Sequence, residues 1–258
     1  MRSRRNIYES DRLLAEYLLF HYGTDMEILP FDFGPKEALH FPERCVQLCL
    51  ESYSRPRVER ALDLGCAVGR ATFELARFCE KTVGIDRSVR FIAAANALKE
   101  KGSLNHANRQ EGEIGVPARA IVPPEIERER ATFEHGDACK LRTDLGAFDL
   151  VLMANLIDRL PQPRSCLQRT PSLVRPGGIL MITSPYTWLE EFTARKHWLG
   201  GIERHGKPTR TLDSLKLILK RDFSLVVRKD LPFLIREHAR KFQWGVAEAT
   251  VWKRNPTK

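Results

Sequence analysis

The sequence predicts an α/β protein: a central, mostly parallel sheet of seven strands with an antiparallel last strand, helices on both faces, and a helical segment ahead of the sheet. Three observations carry this reading. From residue 60 onward, short apolar runs alternate with stretches of helical periodicity, the pattern of a parallel sheet joined by crossover helices. A strand ending Ala61-Leu62-Asp63-Leu64 runs into a small-residue turn, Gly65-Cys66-Ala67-Val68-Gly69, and then into a helix. The chain closes with two β-rich stretches, 223–230 and 246–252, that read as an antiparallel edge.

Taken in order, residues 6–22 read as an amphipathic helix. Asn6 with Glu9 has the spacing of a capping box, and Leu13, Leu14, Tyr17, Leu18 and His21 fall on one face. Gly23 stops it, and a loop with Pro30, Gly34, Pro35 and Pro42 follows. A second helix covers 43–53 through Cys45, Val46, Leu48, Cys49 and Leu50. Residues 1–58 are therefore expected to form a helical lid over the ligand edge of the sheet. Strands at 60–64 and 81–86 flank a helix at 69–79, and Ser88 caps the next helix, carried by Phe91, Ile92, Ala95 and Leu98. Further strands fall at 131–135, 148–154 and 179–183, with a helix at 163–174 that ends at Arg175-Pro176-Gly177-Gly178. Two insertions, 101–130 and 184–212, interrupt the alternation. The first is polar and rich in Gly and Pro, and reads equally well as ordered or disordered. The second carries Tyr186, Trp188, His197, Trp198 and His205, too aromatic for disorder. No repeat or linker divides the chain, so 1–258 is expected to be one domain.

The chain has 258 residues, 43% of them hydrophobic, enough for a substantial core. No apolar run approaches the roughly 20 residues needed to span a bilayer. The basic N-terminus is interrupted by Glu9, Asp11, Arg12 and Glu16 before any apolar signal region could form. The expectation is a soluble, cytoplasmic protein with no membrane partner. The six cysteines are scattered, which suits free thiols and argues against a metal site. The net charge of +9 permits nucleic-acid binding. Acids interleave with the bases, however, as in Glu125-Ile126-Glu127-Arg128-Glu129-Arg130, and no Arg/Lys stripe with aromatics is present, so nucleic acid is the disfavoured partner.

The turn at 63–69 reads Asp-x-Gly-x-Ala-x-Gly, not the Gly-x-Gly-x-x-Gly of a dinucleotide fold. An acid beside a pyrophosphate would be repelled; beside an ammonium or sulfonium it is attracted. The next strand ends in Asp86, a carboxylate able to accept both hydroxyls of a ribose. Together these place a nucleoside-bearing ligand at the carboxyl edge of the sheet, although an ordinary strand–turn–helix corner has the same outline. The pattern resembles motif I of the class I S-adenosylmethionine (AdoMet) methyltransferases, a Rossmann-like fold, with Ala67 standing where that superfamily usually has glycine. The resemblance implies AdoMet as cofactor and S-adenosylhomocysteine as its product. It places Asp63, Gly65, Cys66, Ala67 and Gly69 at the methionine half, Asp86 at the ribose and Arg87 beside the adenine. Asp137 and Ala138 then meet the adenine edge, and Met153, Ala154 and Asn155 lie beside the transferred methyl. Asp137 also reads as a turn former, and Asn155 as a helix cap. Methyl transfer needs chiefly positioning, so no sharp catalytic motif is expected. No Asn-Pro-Pro-Tyr or Asp-Pro-Pro-Tyr follows the 148–154 strand, which weakens methylation of exocyclic nucleic-acid amines.

Longer blocks carry a narrower resemblance. They are residues 6–23, Phe41-Pro42-Glu43-Arg44-Cys45, residues 63–70, Ser184-Pro185-Tyr186-Thr187-Trp188, Trp198-Leu199-Gly200-Gly201 and residues 231–240. Together they resemble the 4-mercaptohistidine N1-methyltransferases, a family that includes the C-terminal domain of ovothiol synthase, over nearly the whole chain. The resemblance implies methyl transfer to the imidazole π nitrogen of 5-thiohistidine, giving ovothiol A. The substrate would be a small thiolated histidine supplied by a separate sulfoxide synthase, because the sulfoxide synthase and lyase portions of the fused enzymes are not in this sequence. On this reading Arg236, His238 and Arg240 meet the substrate carboxylate or thiolate, and Glu237 meets its ammonium. Tyr186 and Trp188 sandwich the imidazole. Tyr8, Arg12, His21 and Tyr22 close the site from the leader helix, with Arg12 reaching toward the AdoMet carboxylate. Asn155, Tyr186 and Tyr22 are the candidates for catalysis. Competing readings remain: Tyr17 and Tyr22 as packing aromatics, and Arg236, Glu237 and Arg240 as a solvated helical face. The acceptor could be another small molecule or RNA, and the chain could be a methyltransferase fold that has lost activity and serves as a binding subunit.

Overall fold

The computed structural model describes residues 7–204 and 206–256. A seven-stranded sheet forms its centre. Its strands in chain order are β1 (Val58–Leu64), β2 (Cys79–Asp86), β5 (Ala131–His135), β6 (Phe148–Ala154), β7 (Val174–Ser184), β10 (Phe223–His238) and β11 (Lys241–Arg254). The remaining four strands form two hairpins, β3 (Ser103–Glu111) with β4 (Ile114–Ile121), and β8 (Ile202–Arg204) with β9 (Lys207–Thr209). The spatial order is β10-β11-β7-β6-β1-β2-β5. β7, β6, β1, β2 and β5 are parallel, while β11 runs antiparallel to both β7 and β10. Because β1 is followed by β2 on one side and its other neighbour is β6, the order reverses at the β1/β6 boundary. Crossovers leave in opposite directions there, and the crevice opens at the strands' carboxyl ends.

Both faces of the sheet are covered, so the interior stretches of its central strands are apolar. Leu62, Leu64, Leu150, Val151 and Leu152 are fully buried. The helices are α1 (Asp11–Tyr22), α2 (Asp25–Ile28), α3 (Phe41–Glu51), α4 (Arg70–Ala76), α5 (Val89–Lys101), α6 (Pro163–Leu173) and α7 (Thr211–Leu219). The exception to apolarity in β6 is Asp149. Its Oδ2 accepts from the backbone N–H groups of Glu59 and Arg60 at 3.0 Å each and from Arg175, which holds its carboxyl below the usual range despite burial.

The leader is pinned over the carboxyl edge by its own chemistry. The α1 N-cap is Ser10, whose side chain accepts from the Leu13 N–H. The predicted Asn6 cap lies outside the described residues, and Glu9 instead accepts from the Val89 N–H at the start of α5. Ser88 also donates to the Tyr8 carbonyl. Residue His205 of the second insertion is likewise outside the described residues.

Three expectations change. Insertion 101–130 is ordered: β3 and β4 pair antiparallel, and Ala120, Val122 and Ile126 are buried with Phe91 and Leu98 of α5. Part of the second insertion folds as the β8–β9 hairpin. Residues 236–240 are not helical; they lie in the β10–β11 hairpin, which is twice as long as the hydrophobic pattern suggested. The register shift between Arg236 and His238 explains the missed pattern. A bulge breaks the two-residue alternation, so Arg236 and its neighbour Glu237 are both buried.

Candidate functional site

A cleft of about 560 Å³ opens at the carboxyl ends of the strands, a size suited to a nucleoside-bearing ligand. Each predicted strand tip supplies part of its floor. Asp63, Gly65, Cys66 and Ala67 come from the end of β1, Asp86, Arg87 and Ser88 from β2, Asp137 and Ala138 from after β5, and Ala154 and Asn155 from β6.

The turn after β1 is held by two anchors. Asp86 Oδ2 accepts from the Ala67 N–H at 3.0 Å, and its Oδ1 from the Ser88 N–H at 2.8 Å. The Tyr22 hydroxyl donates to the Val68 carbonyl at 2.8 Å. Ala67 sits at φ 48°, in the left-handed region where glycine is the relaxed choice. The departure from the superfamily pattern is therefore accommodated as backbone strain, with the turn intact.

The two carboxylates of the floor are held by neutral donors. Asp63 is buried and its side-chain partner is the Thr72 hydroxyl at 2.8 Å. Burial, reinforced by the charge of Asp86, pushes its carboxyl up to about 7 against the Thr72 hydrogen bond. Burial also raises Asp86, opposed by the backbone N–H groups of Ser88 and Ala67. Among the described residues neither the buried Asp63 nor the half-buried Asp86 hydrogen-bonds a cationic side chain, and the pair fits a positively charged nucleoside such as AdoMet, whose amino and sulfonium groups would relieve the penalty. Asp63 and the 65–67 turn would hold its methionine half, Asp86 its ribose, and Asp137 with Ala138 its base. Asp137 also accepts from the Cys139 N–H at 2.8 Å, so its turn-forming role and its place in the cleft coexist.

Asn155 adopts φ 49° after β6. Its N–H donates to the Thr183 carbonyl, and its Oδ1 accepts from the Thr183 hydroxyl at 3.0 Å. That fixes the amide so that its N–H side is without a protein acceptor among the described residues.

The wall above the floor comes from α1 and from the β10–β11 hairpin. Tyr8, Glu16, Tyr17, Phe20 and His21 face the cleft from the leader, and Phe41, Phe233, Ile235, Gln243 and Trp244 face it from the other side. His21 is 9% exposed, and burial, then the Arg70 charge, lowers its pKa to about 3. Its ring is therefore neutral. Arg159 completes the rim, donating to Asp158 Oδ2 at 2.9 Å and to the Thr187 carbonyl at 2.8 Å, with its guanidinium over the Phe192 ring.

Several predicted residues do not reach the cleft. Met153 is fully buried in the core beneath β6, because alternate residues of a strand face opposite sides. Gly69 is a packing glycine at φ 90°, where an added Cβ would meet the Phe133 ring at 2.7 Å. Tyr22 spends its hydroxyl on Val68. Arg12 bridges Glu16 and Glu237 at the edge of the lid. Tyr186 turns away at φ 55° and donates to Glu248 at 2.6 Å, leaving Pro185 and Thr187 to face the cleft. Trp188 is buried against Trp198 and donates to Thr211. Arg236 donates to the Glu27 carbonyl and to Gln110. Glu237 accepts from Arg12, Lys241 and Gln243. His238 accepts from the Arg240 N–H, and Arg240 is exposed. Glu16, Arg159, Phe192, Gln243 and Trp244 went unread. For Glu16 a signal existed: it shares a helix face with Leu13, Tyr17 and Phe20 by i+3 and i+4 spacing, but its charge hid it within an apolar pattern.

Two expected results test this geometry. Tyr22→Phe should cost about 1–2 kcal/mol, because Val68 would lose its buried donor. Thermal melting should show the loss, whereas kcat for methyl transfer should be unchanged; a collapse of kcat alone would return Tyr22 to the chemistry. The second concerns pH. Asp63 has a folded pKa of about 7, above its ordinary 3.8, so the folded state keeps its proton longer and stability falls as pH rises between those values. His21 has a folded pKa of about 3, below its ordinary 6.5, so its contribution is present above 6.5 and lost as pH falls toward 3. The two slopes oppose each other from about 4 to 6.5. Asp63→Asn should therefore uncover a stability that climbs with pH across that window in urea unfolding. A profile parallel to wild type would refute the assignment.

Comparison with known proteins agrees with this architecture. Residues 62–180 match the Methyltransferase domain family. A 23S rRNA (uracil(1939)-C(5))-methyltransferase of Vesicomyosocius okutanii is 28% identical over 95 residues, 37% of this chain and 21% of the relative. A ubiquinone biosynthesis O-methyltransferase of Bradyrhizobium sp. (strain ORS 278) is 25% identical over 126 residues, 48% of this chain and 39% of the relative. The chain thus spans well under half the length of these two curated relatives. The N-methyltransferase NodS from Bradyrhizobium japonicum WM9, solved with S-adenosylhomocysteine, superposes with a TM-score of 0.54 at 18% identity, covering 95% of this chain and 99% of that one. No helix among the described residues is long and apolar enough to cross a membrane. Residues 62–180 thus match a methyltransferase domain, set in the Rossmann-like class I fold whose cofactor is S-adenosylmethionine.

Proposed function

We propose that this protein is an AdoMet-dependent N-methyltransferase whose acceptor is 5-thiohistidine, methylated at the imidazole π nitrogen to give ovothiol A. One observation supports the reading most. Five of the six blocks that carry the resemblance to the 4-mercaptohistidine N1-methyltransferases, far apart in the chain, converge on a single cleft, the Trp198–Gly201 block lying outside it. Tyr17 and His21 come from the first block, Phe41 and Pro42 from the second, Asp63 and the glycine turn from the third, Pro185 and Thr187 from the fourth, and Phe233 and Ile235 from the last. The cleft is lined by the rings of Tyr17, Phe20, His21, Phe41 and Phe233, which suits a small planar acceptor better than a polynucleotide.

When bound, the cofactor supplies a methyl group on a sulfonium, already electrophilic toward a ring nitrogen. The protein's share of the work is placement and exclusion of water. Asp63 and Asp86 set the donor by charge and hydrogen bonding. Asn155, its amide fixed by Thr183, offers N–H donors at the tip of β6. Phe20, Phe41 and Phe233 keep water from the acceptor. His21, held neutral, can accept or donate one proton at its ring.

The test is incubation with AdoMet and 5-thiohistidine, followed by mass spectrometry and NMR assignment of the methylated nitrogen. A product one methylene heavier, methylated at the π nitrogen, supports the proposal. Turnover of other small amines or phenols with none of thiohistidine would defeat it.

A further inference from the structure

Glu16 is a charged group of the cleft that the chemistry above leaves unused. It faces the cavity from α1 and is only 8% exposed. Its Oε1 accepts from Arg12 Nε at 2.7 Å, while Oε2 has no partner among the described residues. Arg12 is shared with Glu237, which is otherwise satisfied by Lys241 and Gln243 at 2.8 Å each. His21, on the same helix and facing the same cleft, is nine-tenths buried, and its Nδ1 has no hydrogen-bond partner. Tyr17 and Phe20 lie between them along the helix, and Phe41 and Phe233 face the same space. A free carboxylate oxygen on an otherwise buried side chain, open toward the cleft, and a buried orphan ring nitrogen are groups whose polar needs a ligand would meet.

We infer that Glu16 is the cation-binding residue of the acceptor site: it takes a primary ammonium carried by a small planar acceptor, whose polar ring atom meets His21. This rests on the reading of the acceptor as a thiohistidine and assigns its ammonium to Glu16, in place of the fully engaged Glu237. The carboxylate also lies where it can favour the positive charge that the ring acquires as its nitrogen is alkylated.

The experiment uses full-length protein saturated with S-adenosylhomocysteine, titrated by calorimetry with histamine and with imidazolepropionate. The two share the ring and differ in the charge of the tail. Wild type should bind histamine roughly tenfold or more tighter, the scale of a charge-assisted hydrogen bond. Glu16→Gln should erase that preference, and Glu16→Asp, which keeps the charge, should retain most of it. Both variants should bind S-adenosylhomocysteine as wild type does. Equal binding of the two probes by wild type, a preference that survives in Glu16→Gln, or joint loss of cofactor affinity in both variants would overturn the inference. The probes need no turnover, so a failure of thiohistidine to be methylated leaves this result readable on its own.

Discussion

Asp86→Ala is expected to reduce S-adenosylhomocysteine affinity by roughly a hundredfold or more, the largest binding effect of any single change in the cleft. The loss has two sources. In the proposed placement of the cofactor the carboxylate accepts from the ribose hydroxyls, and hydrogen bonds to a charged group contribute about 1.5–3 kcal/mol each. It also accepts from the Ala67 and Ser88 N–H groups. Removing it frees the glycine turn on one side and the start of α5 on the other, so the cavity loses shape as well as charge. Calorimetric titration measures the loss directly. Asp86→Asn keeps one acceptor oxygen, enough for the Ala67 or the Ser88 N–H but not both, so it should loosen the turn less than alanine does while losing most of the affinity. If Asp86→Ala binds within tenfold of wild type, the ribose lies elsewhere.

Gly69→Ala is expected to destabilise the fold by about 3 kcal/mol, and to lower the melting temperature by roughly ten degrees. The residue sits at φ 90°, where a side chain is strained whatever the space. Its new Cβ would stand 2.7 Å and 2.8 Å from two Phe133 ring atoms and 3.2 Å from Ala95 Cβ. Phe133 cannot withdraw, because it packs edge-on against the fully buried Phe73 at 5.0 Å. Ala67→Gly in the same turn is the opposite experiment. There an alanine already occupies a left-handed position, so glycine should be neutral to stabilising by up to about 1 kcal/mol. A thermal melt in which both substitutions behave alike would show that the turn is not strained as described.

The difference between these two positions shows what could be read in advance. The motif located the turn, its acid and the strand before it, and the fold around it followed from alternating strands and helices. It could not say that Gly69 packs on Phe133 while Gly65 and Ala67 face the cleft, because that depends on α5 and β5, which are distant in the chain. Tyr186 illustrates the same limit. Its block belongs to the site, yet the left-handed φ at Tyr186 turns the ring toward Glu248 and presents Pro185 and Thr187 instead. The bulge after Arg236 hid a strand behind an apparent helical spacing.

The sequence by itself determined the strands of the sheet in their order along the chain and the acids at their tips. Those features are local: a strand end, a small-residue turn and a helix start are encoded by neighbouring residues. The wall above the cleft floor was decided only by tertiary structure. α1 and the β10–β11 hairpin, from opposite ends of the chain, meet there, and the groups each turns inward are fixed by a bulge, a left-handed residue and the Arg12 bridge between Glu16 and Glu237. The physical reason is that a side chain's burial and partner depend on what packs across from it, and no spacing along the chain encodes that.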